Sequence, residues 1–256
     1  MDRIIDVHVH IGSSLYQNYT AEDALKSMDQ NGVTHAVISP VPSYPLPEGV
    51  KSSWEQNDNI ARLLKEYPGR FVRGLGVVDP RHGEAAVPEV DRIFGELGLH
   101  GLMFHTDKTG LTFDNPVMIQ FMEHAARYKN PVVLAHTSQY SVLEAPYMLR
   151  KIAEMFPQIT FINASSMKDT THSNCSRYVS ANLDNVYLDV ANVHPIMAPI
   201  EWAVRDSGED KIVFGTDTPF CGNYCTEKRM IDTADITEKQ RRKIYWDTAA
   251  RIFGLS

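Results

Sequence analysis

The chain has 256 residues, of which 43% are apolar and 22% charged, and this composition is that of a globular protein able to bury a large core. Its formal net charge is −7 and no dense run of Lys or Arg occurs, which argues against nucleic acid as a partner. No window reaches the roughly 18 uninterrupted apolar residues of a membrane span, and three cysteines late in the chain argue against a disulfide framework.

Short apolar runs alternate with longer amphipathic stretches along the whole chain, as expected of repeated β–α units around a parallel sheet. Thr20, the Asn115-Pro116 pair and Thr237 mark helix starts, Glu144–Phe156 is amphipathic, and the last helix is predicted to end near Phe253. A long loop is expected at Pro40–Pro47. The eight predicted strands are Ile4–His10, Ala36–Pro40, Phe71–Val78, Gly101–His105, Val132–His136, Ile159–Ala164, Val186–Val190 and Ile212–Gly215.

Eight strands with helical intervals predict a closed α/β barrel, and we expect one cytoplasmic domain over residues 1–256. The alternative is an open doubly wound sheet. Such a sheet usually carries a glycine-rich phosphate loop after its first strand, whereas this chain has histidines there.

Those histidines belong to the first strand, where alternation places Asp6, His8 and His10 on one face and Val7 and Val9 on the other. A His-x-His pair alone is more often a surface or hydrogen-bonded pair than a metal site. Two further polar residues follow buried strands, His136 and Asp217, and each alone has a structural explanation, as a core histidine or as a turn cap.

In a barrel all carboxyl ends of the strands open onto one face, so these four side chains can meet. His8, His10, His136 and Asp217 together predict one divalent metal. Imidazole and carboxylate ligands suit zinc best, with manganese, iron or cobalt as alternatives.

The chain resembles the amidohydrolase superfamily, in particular amidohydrolase family 2 and its aminocarboxymuconate-semialdehyde decarboxylase-like branch. The resemblance covers the full chain. It rests mainly on Ile5-Asp-Val-His-Val-His-Ile-Gly and Phe214-Gly-Thr-Asp-Thr-Pro-Phe, supported by Pro131-Val-Val-Leu-Ala-His and Ala249-Ala-Arg-Ile-Phe-Gly-Leu. It implies a distorted TIM (β/α)8 barrel of the metal-dependent hydrolase type, with a metal held by the four residues named above.

Two positions of this chain differ from the pattern of relatives. Met103 stands where two-metal relatives have a carboxylated lysine, so the resemblance implies one metal. Ser165 stands where relatives place an acid/base histidine at the end of the sixth strand. A serine has no suitable pKa for proton transfer near neutrality. His105 and His172 are the candidates to compensate, each with the alternative of an ordinary hydrogen-bonded or solvated histidine.

The sequence favours a hydrolase that acts on an amide, cyclic amide, lactone or ester of a small molecule through a metal-activated water. The resemblance implies that Asp217 both ligates the metal and accepts the proton of that water. One alternative is non-oxidative decarboxylation of a small carboxylate on the same scaffold. The second is a metal-binding barrel without activity, suggested by Ser165. Relatives of this size often self-associate, so a homo-oligomer is also expected.

Overall fold

A computed structural model describes residues 3–13, 18–42, 50–194, 198–220 and 224–255, apart from the side chains of residues 224 and 225. Its centre is one sheet in which eight strands run parallel and a short strand pairs antiparallel at one side. The strands are β1 (Ile5–Ser13), β2 (Asn18–Tyr19), β3 (His35–Pro40), β4 (Phe71–Gly76), β5 (Gly101–Phe104), β6 (Val132–His136), β7 (Thr160–Ala164), β8 (Val186–Asp189) and β9 (Ile212–Val213).

The sheet closes on itself. The order is β2-β1-β3-β4-β5-β6-β7-β8-β9, and the segment after β9 also lies against β1. There the Val7 N–H donates to the Phe214 carbonyl (2.9 Å), the His10 N–H donates to the Thr218 carbonyl (2.8 Å), and Val9 bridges Thr218 in parallel. The predicted (β/α)8 barrel is therefore confirmed, and β2 is the one strand among the described residues that the sequence did not predict.

Strand β1 does not keep the strict alternation expected of it. Its register against β3 shifts between Asp6 and Val9. As a result Val7 packs in the barrel interior and Val9 packs in the outer layer, although the sequence placed both on one face. The shift matters for function because it lets His8 and His10 point inward although Val7, also an inward residue, directly precedes His8.

Helices surround the barrel: α1 (Ala21–Asn31), α2 (Val50–Glu66), α3 (Val87–Gly95), α4 (Thr106–Thr109), α5 (Pro116–Ala125), α6 (Pro146–Met155), α7 (Thr170–Asn182), α8 (Pro199–Ser207), α9 (Tyr224–Asp232), α10 (Glu238–Arg242) and α11 (Thr248–Phe253). Thr20 and Thr237 form capping boxes and Asn115 caps α5, as predicted. The predicted last helix is interrupted by a π-helical turn at Lys243–Asp247 before it ends at Gly254. Part of the predicted Pro40–Pro47 loop lies outside the described residues.

The core has two layers. The outer layer lies between strands and helices, and the inner cluster fills the barrel with alternate residues such as Val132 and Leu134 of β6. Residues of α11, including Phe253, join the inner cluster. Because His136 continues the inward alternation of β6, the same pattern that fills the barrel brings this side chain to its mouth. Among the described residues, no helix is both long and apolar enough to cross a membrane.

Candidate metal centre

His8, His10 and Asp217 converge at the mouth of the barrel, with one ligand atom of each within 4.8 Å of the others. The Nε2 atoms of His8 and His10 lie 3.5 Å and 3.3 Å from Asp217 Oδ1. His8 and His10 are each 2% exposed and Asp217 is 6% exposed. Two imidazole nitrogens and a carboxylate oxygen buried at this separation form a donor set that fits a divalent metal.

The remaining ring nitrogens of the two histidines are held by acceptors. His8 Nδ1 donates to Asp189 Oδ2 at 2.7 Å, and His10 Nδ1 donates to the Pro40 carbonyl at 3.0 Å, with Ser39 Oγ also 2.9 Å away. Because an acceptor holds Nδ1 of each ring, Nε2 of both rings faces Asp217 and is the atom that a metal would use. Metal-binding histidines are typically oriented by such partners.

The electrostatics of this group favour a cation. Burial alone would lower the pKa of His8, but the carboxylates of Asp189, Asp217 and Asp6 outweigh it and raise that pKa to about 9. Burial would likewise raise the pKa of Asp217, yet His8 and His10 hold it well below its usual range. Burial and the charge of His8 lower the pKa of His10. In the absence of a metal, a proton on His8 therefore supplies the positive charge that the carboxylates stabilise.

Asp217 is held in an unusual backbone conformation together with two neighbours. Ser165, Asn192 and Asp217 all have φ of 58°, in the left-handed region that residues other than glycine rarely adopt. Their side chains are linked, because the Asn192 amide donates to Ser165 Oγ (2.9 Å) and to Asp217 Oδ2 (3.0 Å). Such strain clusters at functional sites, and here it places Asp217 Oδ1 toward the histidines while Asn192 occupies Oδ2.

Gly215 makes the packing of His8 possible. A Cβ atom at this position would lie 2.8 Å from Asp189 Oδ2 and 3.0 Å from the Cβ of His8. The first distance is shorter than real Cβ contacts, and the second is tighter than most of them. The glycine in Phe214-Gly-Thr-Asp is therefore required for the close approach of His8 to its orienting carboxylate.

A second group of potential ligands lies at the ends of β5 and β6. It consists of His105, His136 and Glu144, again with one atom of each within 4.8 Å of the others. The rings of His105 and His136 stack at 3.9 Å. Glu144 Oε2 accepts from His136 Nδ1 (2.8 Å), and Glu144 Oε1 lies 2.5 Å from His105 Nδ1 without the alignment of a hydrogen bond. His136, predicted to join His8, His10 and Asp217, is thus grouped here instead, and its role as a metal ligand stays a prediction.

The charges around His136 differ from those around His8. Burial is the main cause that lowers the pKa of His136, and His105 and Lys168 also lower it. Glu144 raises this pKa only in part, so the net value is about 3. Burial would raise the pKa of Glu144, but the two histidines hold it well below its usual range. His136 is therefore a neutral imidazole with its proton on Nδ1, and its Nε2 lone pair is occupied by the Lys168 ammonium at 2.8 Å.

The two histidines proposed as acid/base groups occupy different environments. His105 lies at the end of β5 with a fifth of its side chain exposed. His172 was expected in a loop but lies in the first turn of α7, buried, with Nε2 2.7 Å from Thr137 Oγ1. Burial and the charge of Lys168 lower its pKa to about 4. Their catalytic roles stay predictions, although His105 is the more accessible of the two.

Several residues of the site were not predicted from the sequence. Asp189 had a signal, since a buried aspartate ends the apolar run of β8, whereas Glu144 and Lys168 lie after strands in segments with no pattern to single them out. Glu227 of α9 is also buried, and its Oε1 accepts from the Asn192 N–H at 3.2 Å while Oε2 has no partner. Burial raises the pKa of Glu227 to about 8.

A cleft opens beside His105, at the ends of β3, β4 and β5. Its apolar side is formed by Val41, Pro42, Val77, Val78, Met103 and Phe104. Its charged residues are Asp79, Arg81 and Lys108, and His105 also lines it. Arg81 binds Asp79 through two N–H groups, at 2.8 and 2.6 Å, and the two charges cancel. Lys108 therefore gives the lining a net positive charge.

The sequence profile of the Amidohydrolase family matches residues 5–255. The chain belongs to the amidohydrolase family. A 2-amino-3-carboxymuconate-6-semialdehyde decarboxylase of Dictyostelium discoideum is 32% identical over 71 residues, which are 28% of this chain and 20% of that protein. The aligned segment therefore spans about a fifth of that curated relative.

Solved structures share the barrel over nearly the whole chain. The 5-carboxyvanillate decarboxylase of Sphingomonas paucimobilis has a TM-score of 0.78 and 18% identity, with 100% of both chains covered. A dihydroxybenzoic acid decarboxylase of Polaromonas sp., solved with manganese and the inhibitor 2-nitroresorcinol, has a TM-score of 0.76 and 17% identity over 99% of this chain and 97% of that one. At these identities the likeness establishes the amidohydrolase barrel and leaves the reaction to be argued from the site.

Proposed function

We propose that this chain is a metal-dependent, non-oxidative decarboxylase of a small aromatic or unsaturated carboxylate. The observation that carries the proposal is the cleft beside the candidate metal centre, which combines an apolar lining with net positive charge. An apolar planar ring fits the first property and a carboxylate fits the second. The relatives described above support the same class, since they are decarboxylases of carboxylated aromatic or muconate compounds.

Phe220 lies between Lys108 of the cleft and His10 of the candidate metal centre. Its ring packs edge-on against His10 at 5.5 Å, and Lys108 Nζ lies 5.0 Å from its centroid. A ring bound in the cleft can therefore lie between a cation at one end and the His8, His10 and Asp217 group at the other. Hydrolysis of a neutral amide or lactone gains nothing from a cationic lining, so the hydrolase expected from the sequence is the second candidate.

In the proposed reaction the bond between a ring carbon and the carboxylate carbon breaks. Its electron pair stays on the ring carbon, that carbon takes up one proton, and carbon dioxide leaves. His8, His10 and Asp217 would hold a divalent metal, with His136 as the predicted fourth ligand. When bound, the metal supplies a Lewis acid that stabilises developing negative charge.

The chain's own residues orient this site. Asp189 and the Pro40 carbonyl fix the two histidine rings, and Asn192 fixes Asp217. The predicted role of Asp217 as acceptor of a water proton belongs to the hydrolase candidate, because decarboxylation consumes a proton instead of releasing one. Zinc and manganese are the two metals to be compared, the first from the ligand types and the second from the manganese-bound neighbour.

The experiment is a panel of hydroxybenzoates and related carboxylates, together with lactones and cyclic amides, incubated with Mn²⁺-loaded, Zn²⁺-loaded and chelated protein. We expect metal-dependent release of carbon dioxide from at least one carboxylate. Hydrolysis of a lactone or amide without carbon dioxide release would establish the hydrolase instead. Absence of any metal-dependent turnover would support the barrel that binds a metal without activity.

A further inference from the structure

Lys168 reaches the candidate site from the turn after β7, three residues beyond Ser165. Its ammonium donates to His136 Nε2 at 2.8 Å. The proton of His136 is on Nδ1, where Glu144 accepts it, so Nε2 offers one lone pair and Lys168 occupies it. The Lys168 side chain is half-buried. It follows β7, the same strand end at which Ser165 replaces the histidine that the resemblance led us to expect.

The contact has a consequence for metal binding. One lone pair cannot accept a hydrogen bond and coordinate a metal at the same time. If His136 is a ligand, Lys168 must leave Nε2 when the metal arrives. The ammonium and a divalent cation also repel each other at contact distance, which reinforces the displacement.

The stem of Lys168 is anchored to the turn after β7, and the backbone of that turn is fixed on both sides. Ser165 donates its N–H to Asp189 Oδ1 at 2.9 Å, and Asp169 caps α7 through the N–H of His172 at 3.0 Å. The base of the Lys168 side chain therefore stays at the barrel mouth, where Glu144 already accepts hydrogen bonds from His136 Nδ1 at 2.8 Å and from the Asp107 N–H at 3.0 Å. A substrate carboxylate held at the same mouth is the complementary partner.

We propose that Lys168 has two positions: in the metal-free protein it occupies the metal side of His136, and in the metal-loaded protein its ammonium binds the carboxylate of the substrate. The inference rests on the proposed function, since it assumes both a metal and an anionic substrate. The proposal also gives Lys168, three residues after Ser165, a role in substrate recognition near the place of the missing acid/base histidine.

The first test measures Mn²⁺ affinity by calorimetry for the wild type, Lys168→Met and Lys168→Arg, with Lys129→Met as a control at an exposed lysine. Removing the competing cation should tighten Mn²⁺ binding in Lys168→Met by at least about tenfold. Lys168→Arg and Lys129→Met should bind no more tightly than the wild type. Equal affinities in the wild type and Lys168→Met would overturn this inference alone. Absence of Mn²⁺ binding in every protein would remove both the proposed function and the inference.

The second test uses benzoate and its uncharged analogue benzamide as probes of the Mn²⁺-loaded proteins. Lys168→Met should weaken benzoate binding by about tenfold and leave benzamide binding unchanged, because only benzoate carries the charge that Lys168 recognises. Lys168→Arg should retain most of the benzoate affinity. Wild-type protein that binds benzoate no better than benzamide, or equal loss of both probes in Lys168→Met, would overturn the role in carboxylate binding.

Discussion

Two buried histidine groups lie side by side at the barrel mouth. One of them stabilises a protonated histidine, and the other stabilises a neutral one. His8 is surrounded by three carboxylates, which raise its pKa to about 9. His136 shares a single carboxylate with His105 and faces Lys168, and its pKa is lowered to about 3. Burial acts against a charged imidazole in both places, so the difference comes from the neighbours: three carboxylates around His8, and one carboxylate opposed by His105 and Lys168 around His136.

This contrast indicates which group is built for a cation. The first group holds positive charge even without a metal, and its ligand atoms are oriented by Asp189, Pro40 and Asn192. In the second group the His136 ring is neutral, and the Lys168 ammonium already lies beside it. We infer that the first group provides most of the metal affinity and that the second completes the site on the side of the substrate.

The largest expected effect comes from removing the carboxylate that the first group shares. Loss of a group that only orients a metal ligand costs up to about 100-fold in metal affinity. Asp217 is a predicted ligand itself, so Asp217→Asn should weaken Mn²⁺ binding by more than about 100-fold. Turnover should be abolished while the unfolding transition persists. Calorimetry with Mn²⁺ and circular dichroism check both, with Asp184→Asn at an exposed aspartate as control. Unchanged Mn²⁺ affinity in Asp217→Asn would contradict the assignment.

A smaller effect should separate the carboxylates that orient each group. Asp189→Asn weakens the hold on His8 and should reduce Mn²⁺ affinity by about 10- to 100-fold, as is typical of groups that orient a ligand. Glu144→Gln should cost less, because Glu144 orients one predicted ligand in the group that is not built for a cation. Mn²⁺ titrations of the two variants give the order directly. A greater loss in Glu144→Gln would reverse the comparison.

A third effect, on folding stability and not on metal affinity, concerns Glu227, which contacts the strained Asn192 segment. Its pKa is raised from 4.5 to about 8, so the folded protein keeps a proton that the unfolded chain releases. Its contribution to stability is therefore present below pH 4.5 and is lost as the pH rises toward 8, by at most ~1.4 kcal/mol per pH unit. Glu227→Gln should remove this dependence, and the exposed control Glu123→Gln should keep it.

Urea unfolding of the metal-free proteins across this pH range measures the effect. Parallel pH profiles for the wild type and Glu227→Gln would show that Glu227 is already ionised in the folded state. In that case the unpartnered Oε2 atom would carry a buried negative charge next to Asp6 and Asp189, which the account excludes.

The sequence predicted the barrel because apolar runs and helix caps are local signals. Val132–His136 was predicted with the observed bounds, and the Thr20 cap was found where expected. The register shift in β1 was missed, since nothing in Ile5-Asp-Val-His-Val-His marks the point at which pairing with β3 changes. The pattern therefore identified the histidines but wrongly placed Val7 and Val9 on the same face of the strand.

The candidate site was predictable where a polar residue ends a buried strand, as at His136 and Asp217. It was not predictable where function depends on neighbours from other segments. Glu144 lies after β6 and Lys168 lies after β7, and both meet His136 only in three dimensions. Spacing along the chain could not reveal the contacts of His136 with Glu144 and Lys168.

The most direct test of the central claim is anomalous diffraction at the manganese edge from crystals of the Mn²⁺-loaded protein. The account predicts one ion in contact with His8 Nε2, His10 Nε2 and Asp217 Oδ1. An ion held by His105, His136 and Glu144 without the other three residues, or no ion at either group, would contradict it.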